Sequence, residues 1–218
     1  MVFRNRVEAG RKLAEAMQDR AYKNSVVLAI PRGGVVVGAQ VARSLKIPLD
    51  LVIPRKIGAP HNPEAAVGAV AQDGTTIFNH QVLSVLGIRE EDLQEVVEEQ
   101  IKEIRRRMKM YRGREDYPSY DNKQVVLVDD GIATGYTVLA ALRSVKNMFK
   151  LKELILAVPV APPDTLNMLR TEVDRVVCLL TPPDFYAVGQ FYVDFPQTTD
   201  EEVISLLRES GDIHHPEA

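Results

Sequence analysis

Short runs of apolar, mostly β-branched residues alternate along the chain with segments that have helical periodicity. Six apolar runs are predicted as strands, at residues 26–30, 49–53, 67–71, 125–128, 154–158 and 176–180. Three intervening segments are long enough for crossover helices, at residues 35–45, 136–149 and 163–172. Continuous apolar runs suit strands that are covered by helices on both faces. The alternation therefore predicts an α/β fold with a mostly parallel sheet flanked by helices.

Two local patterns add detail to this prediction. Asp73-Gly74, between apolar segments 67–72 and 75–78, is a tight-turn signal and predicts one antiparallel pairing. Residues 90–112 form one apolar stripe with spacings of three and four, which predicts an amphipathic helix. The stripe consists of Leu93, Val97, Ile101, Ile104, Met108 and Tyr111. A solvated face is the simpler interpretation of the basic triplet on this helix, Arg105, Arg106 and Arg107, and phosphate binding is the alternative.

Both ends of the chain also carry helical signals. Residues 1–20 place apolar side chains on one stripe and predict a helix that supports the sheet or the C-terminal region. Thr198 and Glu201 have the spacing of a capping box, which predicts a helix that continues through Leu207.

Length and composition limit the classes of protein that are compatible with the chain. A chain of 218 residues with 45% apolar and 26% charged residues predicts a single globular domain. The net charge of −3 argues against nucleic-acid binding that is driven by the overall charge of the protein. The single cysteine, Cys178, excludes an intrachain disulfide and is expected in the core. No run is long enough for a membrane span, and the first residues lack a signal-peptide pattern, so we expect a cytoplasmic protein.

An acidic pair follows the predicted strand at residues 125–128. In open α/β sheets, ligands bind at the carboxyl ends of the strands, where Asp129 and Asp130 lie. The loop amides, the hydroxyls of Thr134 and Thr137, and the next helix N-terminus can together bind an anion. Two carboxylates would repel a phosphate at contact distance, but they suit ribose hydroxyls or a magnesium ion. The segment therefore predicts a site for a sugar 5-phosphate.

Residues 125–137 resemble the phosphoribosyl diphosphate (PRPP) motif of type I phosphoribosyltransferases, with four apolar residues, two acids and a loop ending Thr-Gly-x-Thr. The Walker A pattern is absent. The resemblance implies that Asp129 and Asp130 bind the ribose hydroxyls, directly or through Mg²⁺. It also implies that the following loop binds the 5-phosphate, through Gly131, Ile132, Ala133, Thr134, Gly135, Tyr136 and Thr137. Ala133 stands where the 6-oxopurine branch usually has an aspartate, which disfavours a hypoxanthine/guanine enzyme of the usual kind.

A second loop of interest follows the first predicted strand. Gly33 and Gly34 allow close backbone approach to a ligand, and the forked guanidinium of Arg32 suits phosphate oxygens. The family resemblance implies that these three residues bind the pyrophosphate of PRPP.

Residues 53–64 contain three prolines and are predicted to form a long loop. The resemblance implies a flexible catalytic loop that closes over PRPP and excludes water. Arg55 and Lys56 are then the expected catalytic residues, because they could neutralise charge on the departing pyrophosphate. A solvated basic loop is the alternative. The roles of His61 and Glu64 stay open.

Five of the thirteen aromatic residues lie within residues 181–195. The resemblance implies that this region is a hood over the acceptor base, with Phe185 and Val188 as base-binding residues. It also suggests Asp194 as a weaker third metal ligand beside Asp129 and Asp130. Simple packing of a small subdomain explains the aromatic residues equally well.

Together these features predict a single phosphoribosyltransferase domain over residues 1–218. Its core is expected at about 25–180, and its hood at about 181–198 with support from the N-terminal helix. The expected activity is Mg²⁺-dependent transfer of 5-phosphoribose from PRPP to a nitrogenous base, by a homodimer that binds no nucleic acid or membrane. The alternatives are a PRPP- or nucleotide-sensing regulator without turnover and a diphosphokinase-like relative, which would need an ATP site. The sequence does not identify the base.

Overall fold

A computed structural model describes residues 2–210 of the chain. Its strands are β1 Ser25–Ala29, β2 Leu49–Leu51, β3 Arg55–Ala59, β4 Asn62–Val70, β5 Thr76–Phe78, β6 Gln124–Val128, β7 Glu153–Val160 and β8 Arg175–Leu180. Its α-helices are α1 Arg6–Glu15, α2 Gly33–Leu45, α3 His80–Leu86, α4 Gln94–Arg112, α5 Tyr136–Met148, α6 Pro163–Arg170 and α7 Asp200–Ser210. Short 3-10 helices lie at Glu90–Leu93 and Val188–Phe191.

The main sheet has five parallel strands in the order β2-β1-β6-β7-β8. Alternate residues of its central strands point to two different apolar clusters. One cluster contains Val126 and packs against α1, α2, α4 and α7, whereas the other contains Leu127 and packs against α5 and α6. The predicted α/β fold with a parallel sheet between helices is confirmed. Within residues 2–210, no helix combines the length and apolar character that a membrane crossing requires.

One predicted strand belongs to a different sheet. Residues 67–71 were expected alongside the parallel strands, but residues 67–70 of this run lie in β4, the middle strand of a small antiparallel sheet. The predicted turn at Asp73-Gly74 is confirmed, because it joins β4 to β5 with Val70 opposite Thr76. Apolar content alone cannot distinguish a strand of the main sheet from one of a second, smaller sheet.

The prediction of a loop at residues 53–64 is wrong. This segment contains β3 and the start of β4, which form an antiparallel hairpin with Arg55 opposite Val70. Pro63 lies where the strand register shifts, and a Cβ on Gly58 would overlap the Pro63 carbonyl. Because prolines are tolerated at such irregularities, they did not prevent strand formation here.

The N-terminus packs against the region predicted as a hood. Phe3 pairs with Tyr192 in an isolated parallel bridge, and the Phe3 amide donates to the Phe191 carbonyl at 2.8 Å. Both aromatic residues lie in one buried cluster with Val160. The following helix, α7, has its capping box one residue later than predicted, between Thr199 and Glu202. The helix extends beyond the expected end, to Ser210.

Candidate active site

The acidic pair lies directly after β6, near the middle of the parallel sheet. The adjacent backbone is fixed by its neighbours, because the Ile30 amide donates to the Val128 carbonyl and the Ile132 amide donates to the Val160 carbonyl, both at 2.9 Å. The Asp130 amide donates to Oδ1 of Asp129 at 2.8 Å. The strand ends thus present two carboxylates at the edge where ligands of such sheets bind.

Arg6, the first residue of α1, reaches the acidic pair. Its Nε donates to Oδ2 of Asp130 at 2.7 Å, and its Nη1 donates to the Pro196 carbonyl at 2.6 Å. The guanidinium lies 3.7 Å from the ring centre of Phe195. The hydroxyl of Tyr192 donates to the Asp130 carbonyl at 2.6 Å. Sequence reasoning missed Arg6, because no motif relates it to an acid that lies 124 positions away.

Burial dominates the titration of both acids. It raises the pKa of Asp129 well above the usual range, and the neighbouring charge of Asp130 raises it further. Burial also raises the pKa of Asp130, but the hydrogen bond and the charge of Arg6 oppose that rise. Arg6 therefore favours the ionised form of Asp130. Hydroxyl donors or a cation would stabilise the charged form of the other acid.

The predicted pyrophosphate loop lies in contact with this pair. A Cβ on Gly33 would overlap Oδ2 of Asp130, and a Cβ on Gly34 would lie 2.9 Å from the Asp129 Cα. Only glycine lets the two loops approach this closely. The peptide bond between Pro31 and Arg32 is cis. The Arg32 side chain turns toward α7, where its Nη1 lies 3.5 Å from Oδ1 of Asp200.

The predicted 5-phosphate loop runs from Gly131 into the first turn of α5. Gly135 caps this helix with φ +85°, and a Cβ there would lie 2.6 Å from Cγ2 of Thr165 on α6. Thr165 also donates from its hydroxyl to the Ala133 carbonyl at 2.7 Å. Ala133 and Thr134 are exposed. The first amides of a helix have no acceptor within the helix itself, so the start of α5, which follows the acids in sequence, can bind an anion.

The two expected catalytic residues lie on the hairpin rather than on a loop. Arg55 donates from Nε to Oε1 of Gln100 on α4 at 2.8 Å. Lys56 is exposed, with its Nζ 4.0 Å from the carboxylate of Glu64. Successive residues of a strand point to opposite faces, so the structure separates these two side chains. His61 lies exposed at the hairpin turn.

The aromatic segment, which is residues 181–195, contacts the predicted 5-phosphate loop. A Cβ on Gly131 would lie 2.5 Å from Cγ1 of Val188, and Phe185 packs on Phe191 with ring centres 5.2 Å apart. Tyr186, which the sequence did not single out, is 88% exposed.

The carboxylates near the site limit how a metal could be held. Within residues 2–210, no three His, Cys, Asp or Glu side chains come together as a metal site, and Asp194 as a third ligand stays a prediction. The backbone amide of Asp194 donates to the Arg4 carbonyl at 2.9 Å. Mg²⁺ commonly uses one or two carboxylates together with substrate phosphates and water. The acidic pair fits an ion held in that way.

Comparisons with known proteins identify the family of the chain. The model of the phosphoribosyl transferase domain matches residues 3–196. A Mycobacterium tuberculosis protein named "Putative phosphoribosyl transferase Rv0571c" is 40% identical over 206 residues, which cover 94% of this chain and 46% of the relative. The chain thus spans about half the length of the curated relatives it matches. The crystal structure of TT1426 from Thermus thermophilus is 41% identical, covers 96% of this chain and 99% of its own, and superposes with a TM-score of 0.78.

Proposed function

The chain belongs to the phosphoribosyltransferase family, and from this premise we propose that it transfers 5-phosphoribose from PRPP to a nitrogenous base and releases pyrophosphate. The observation that carries the proposal is the close approach of the Gly33-Gly34 turn to Asp129 and Asp130. PRPP bears its pyrophosphate on the carbon next to a ribose hydroxyl. A turn that binds the pyrophosphate must therefore lie directly beside the acids that bind the ribose hydroxyls.

In this proposal the acidic pair and the 5-phosphate loop bind different parts of PRPP. Asp129 and Asp130 accept hydrogen bonds from the ribose hydroxyls, while the amides between Gly131 and Thr137 hold the 5-phosphate. The hydrogen bond from Arg6 holds the Asp130 carboxylate in one orientation. The sugar is thereby fixed at both ends, and positioning supplies a large part of the rate enhancement.

Charge distribution supports the bond-breaking step. As the glycosidic carbon–oxygen bond breaks, the ribose ring gains positive charge and the pyrophosphate gains negative charge. In this proposal the acidic pair contacts the ribose, and Arg32 together with the N-terminus of α2 at Gly33 contacts the leaving group. Such a preorganised field stabilises separated charges in the transition state. No covalent intermediate with the protein is needed.

Mg²⁺ dependence is the second part of the proposal. Asp129 and Asp130 are the residues that would hold the ion, which would supply positive charge to the pyrophosphate oxygens when bound. The protein contributes two adjacent carboxylates for this purpose, one of which already pairs with Arg6.

One observation favours a second candidate, a PRPP- or nucleotide-sensing regulator without turnover. The segment expected to close over the substrate is a β-hairpin, and its Arg55 is hydrogen-bonded to Gln100 of α4. A regulator would need only the sugar, phosphate and pyrophosphate contacts.

Pyrophosphate release distinguishes these two candidates. The protein is incubated with PRPP, Mg²⁺ and a panel of nucleobases, and the variants are Asp130→Asn and, as a matched control at an exposed position, Asp116→Asn. Base-dependent release that persists in the control and disappears in Asp130→Asn supports the transferase. Tight PRPP binding without release for any base supports the regulator, and no PRPP binding at all contradicts both.

A further inference from the structure

The peptide bond between Asp130 and Gly131 joins the acidic pair to the 5-phosphate loop. The pairing of β6 with its two neighbouring strands ends at Val128, and the Ile132 amide donates to the Val160 carbonyl at 2.9 Å. The peptide between Asp130 and Gly131 lies between these two positions, outside the strand pairing. Its orientation therefore depends on contacts from other parts of the fold.

The aromatic segment supplies two such contacts. The Tyr192 hydroxyl donates to the Asp130 carbonyl at 2.6 Å. Val188 packs so closely on Gly131 that a Cβ there would lie 2.5 Å from Cγ1 of Val188. One contact holds the carbonyl of the peptide, and the other holds the α-carbon that follows it. The aromatic segment thus contacts the junction between the acidic pair and the 5-phosphate loop at two neighbouring atoms.

The ring of Tyr192 is itself held in place. Tyr192 is only 6% exposed, and its ring centre lies 5.4 Å from that of Phe3 and 4.8 Å from that of Phe195. Burial raises the pKa of its hydroxyl, and the charge of Asp130 raises it further, so the hydroxyl keeps its proton and remains a donor. A donor that is fixed in this way limits the positions that the Asp130 carbonyl can adopt.

We propose that Tyr192 is a positioning residue, which sets the orientation of the acidic pair relative to the 5-phosphate loop. This inference rests on the proposed function, since it concerns where the ribose and the 5-phosphate bind. A ligand that bears both groups must fit the acids and the loop at the same time, and a preorganised site lowers the cost of doing so. Loss of the hydroxyl should therefore weaken PRPP binding more than binding of pyrophosphate, which carries no ribose.

The test measures binding of PRPP and of inorganic pyrophosphate, each with Mg²⁺, by isothermal titration calorimetry. Tyr192→Phe keeps the ring and its packing but removes one hydrogen bond, so PRPP affinity should fall by about fivefold to tenfold, with pyrophosphate affinity kept within about twofold. Tyr117→Phe is the matched control, because the Tyr117 hydroxyl also donates to a backbone carbonyl, that of Leu51, at 2.8 Å. Both of its affinities should stay within about twofold of those of the unsubstituted chain.

Amide exchange gives a second readout that needs no ligand. The Ile132 amide lies two residues after the carbonyl that Tyr192 holds. Its hydrogen exchange, followed by NMR, should be about fivefold or more faster in Tyr192→Phe and unchanged in Tyr117→Phe, because exchange reports local opening of the backbone.

Two results would overturn the proposal: a PRPP affinity of Tyr192→Phe that equals that of Tyr117→Phe, and a parallel loss of PRPP and pyrophosphate affinity. If the unsubstituted chain binds no PRPP, the proposed function fails, and exchange of the Ile132 amide alone decides whether Tyr192 holds the junction. If Tyr192→Phe does not fold, Val188→Ala decides the question, because it removes the second contact to the same peptide. A selective loss of PRPP affinity in Val188→Ala supports the proposal, and unchanged affinities overturn it.

Discussion

Arg6 donates a hydrogen bond from Nε to Oδ2 of Asp130 at 2.7 Å, across 124 positions of sequence. Both side chains are largely buried, with 10% and 15% of their surfaces exposed. Because the same guanidinium also binds the Pro196 carbonyl and stacks on Phe195, it links the acidic pair to the aromatic segment. The orientation of Asp130 therefore depends on residues from both the N-terminal and the C-terminal parts of the chain.

Replacing Arg6 should reveal the energetic value of this link. Arg6→Gln leaves the Asp130 carboxylate buried without its cation, so we expect a loss of about 3 kcal/mol in the free energy of unfolding. Arg6→Lys keeps a charge but loses the planar fork and the ring stacking, and should recover only part of that loss. Urea unfolding at pH 7 measures both values.

Lys12→Gln is the matched control for Arg6, because Lys12 lies on the same helix and pairs with Glu8 at the surface. An exposed pair of this kind contributes about 0–1 kcal/mol. If Arg6→Gln were no more destabilising than Lys12→Gln, the link between Arg6 and Asp130 would carry little energy.

The contact between Gly33 and Asp130 predicts strong coupling between two loops. Gly33→Ala adds a methyl group that would overlap the Asp130 carboxylate, and overpacking of this kind costs about 1–3 kcal/mol. In an Asp130→Ala background the obstructing oxygen is gone, so the cost of Gly33→Ala should fall by about 1 kcal/mol or more. A double-mutant cycle in urea measures this coupling, and strict additivity would show that the loops do not touch.

Most of the central sheet could be predicted because burial determines its composition. Strands β1, β6 and β7 are covered on both faces, so their residues form continuous apolar runs. The acidic pair was visible for a related reason. Two charges placed directly after the buried run of β6 have no packing explanation and indicate a ligand.

Long-range contacts explain what the sequence did not reveal. Arg6 looks like an ordinary helical arginine until the fold brings α1 to the end of β6. The hairpin at residues 53–64 was mistaken for a loop because Pro63 and Gly58 suggest disorder locally, although each suits a strand irregularity. The sequence also could not assign different partners to the three arginines of the basic triplet. In the structure Arg105 pairs with Glu115, whereas the other two arginines bind Glu103.

A buried ionic network should make Asp50 important for stability. Its carboxylate accepts from Nε of the fully buried Arg112 at 2.6 Å and from the hydroxyl of Tyr120 at 2.5 Å. Asp50→Asn leaves the guanidinium without a counter-charge, for an expected loss of about 3–5 kcal/mol. Tyr120→Phe removes one hydrogen bond to a charged group, for about 1.5–3 kcal/mol.

Urea unfolding of these two variants checks the order as well as the size of the effects. The exposed Asp116→Asn serves as the control, with an expected change of less than about 0.5 kcal/mol. If Asp50→Asn lowered the free energy of unfolding no more than this control, the Arg112 guanidinium would have to be stabilised by another partner or by water.

Glu103 should make stability depend on pH in the acid range. Hydrogen bonds from Arg106 and Arg107 lower the pKa of its carboxyl to about 2, from a usual value of 4.5. The folded state therefore holds the charged form, and its stabilising effect is complete above about pH 5 and is lost as the pH falls toward about 2. The difference in unfolding free energy between the unsubstituted chain and Glu103→Gln should be constant at pH 6–7 and shrink between about pH 5 and 2. Glu99→Gln, at an exposed position of the same helix, should show no comparable narrowing in the same urea series, and a similar pH trend in both variants would contradict the role assigned to Glu103.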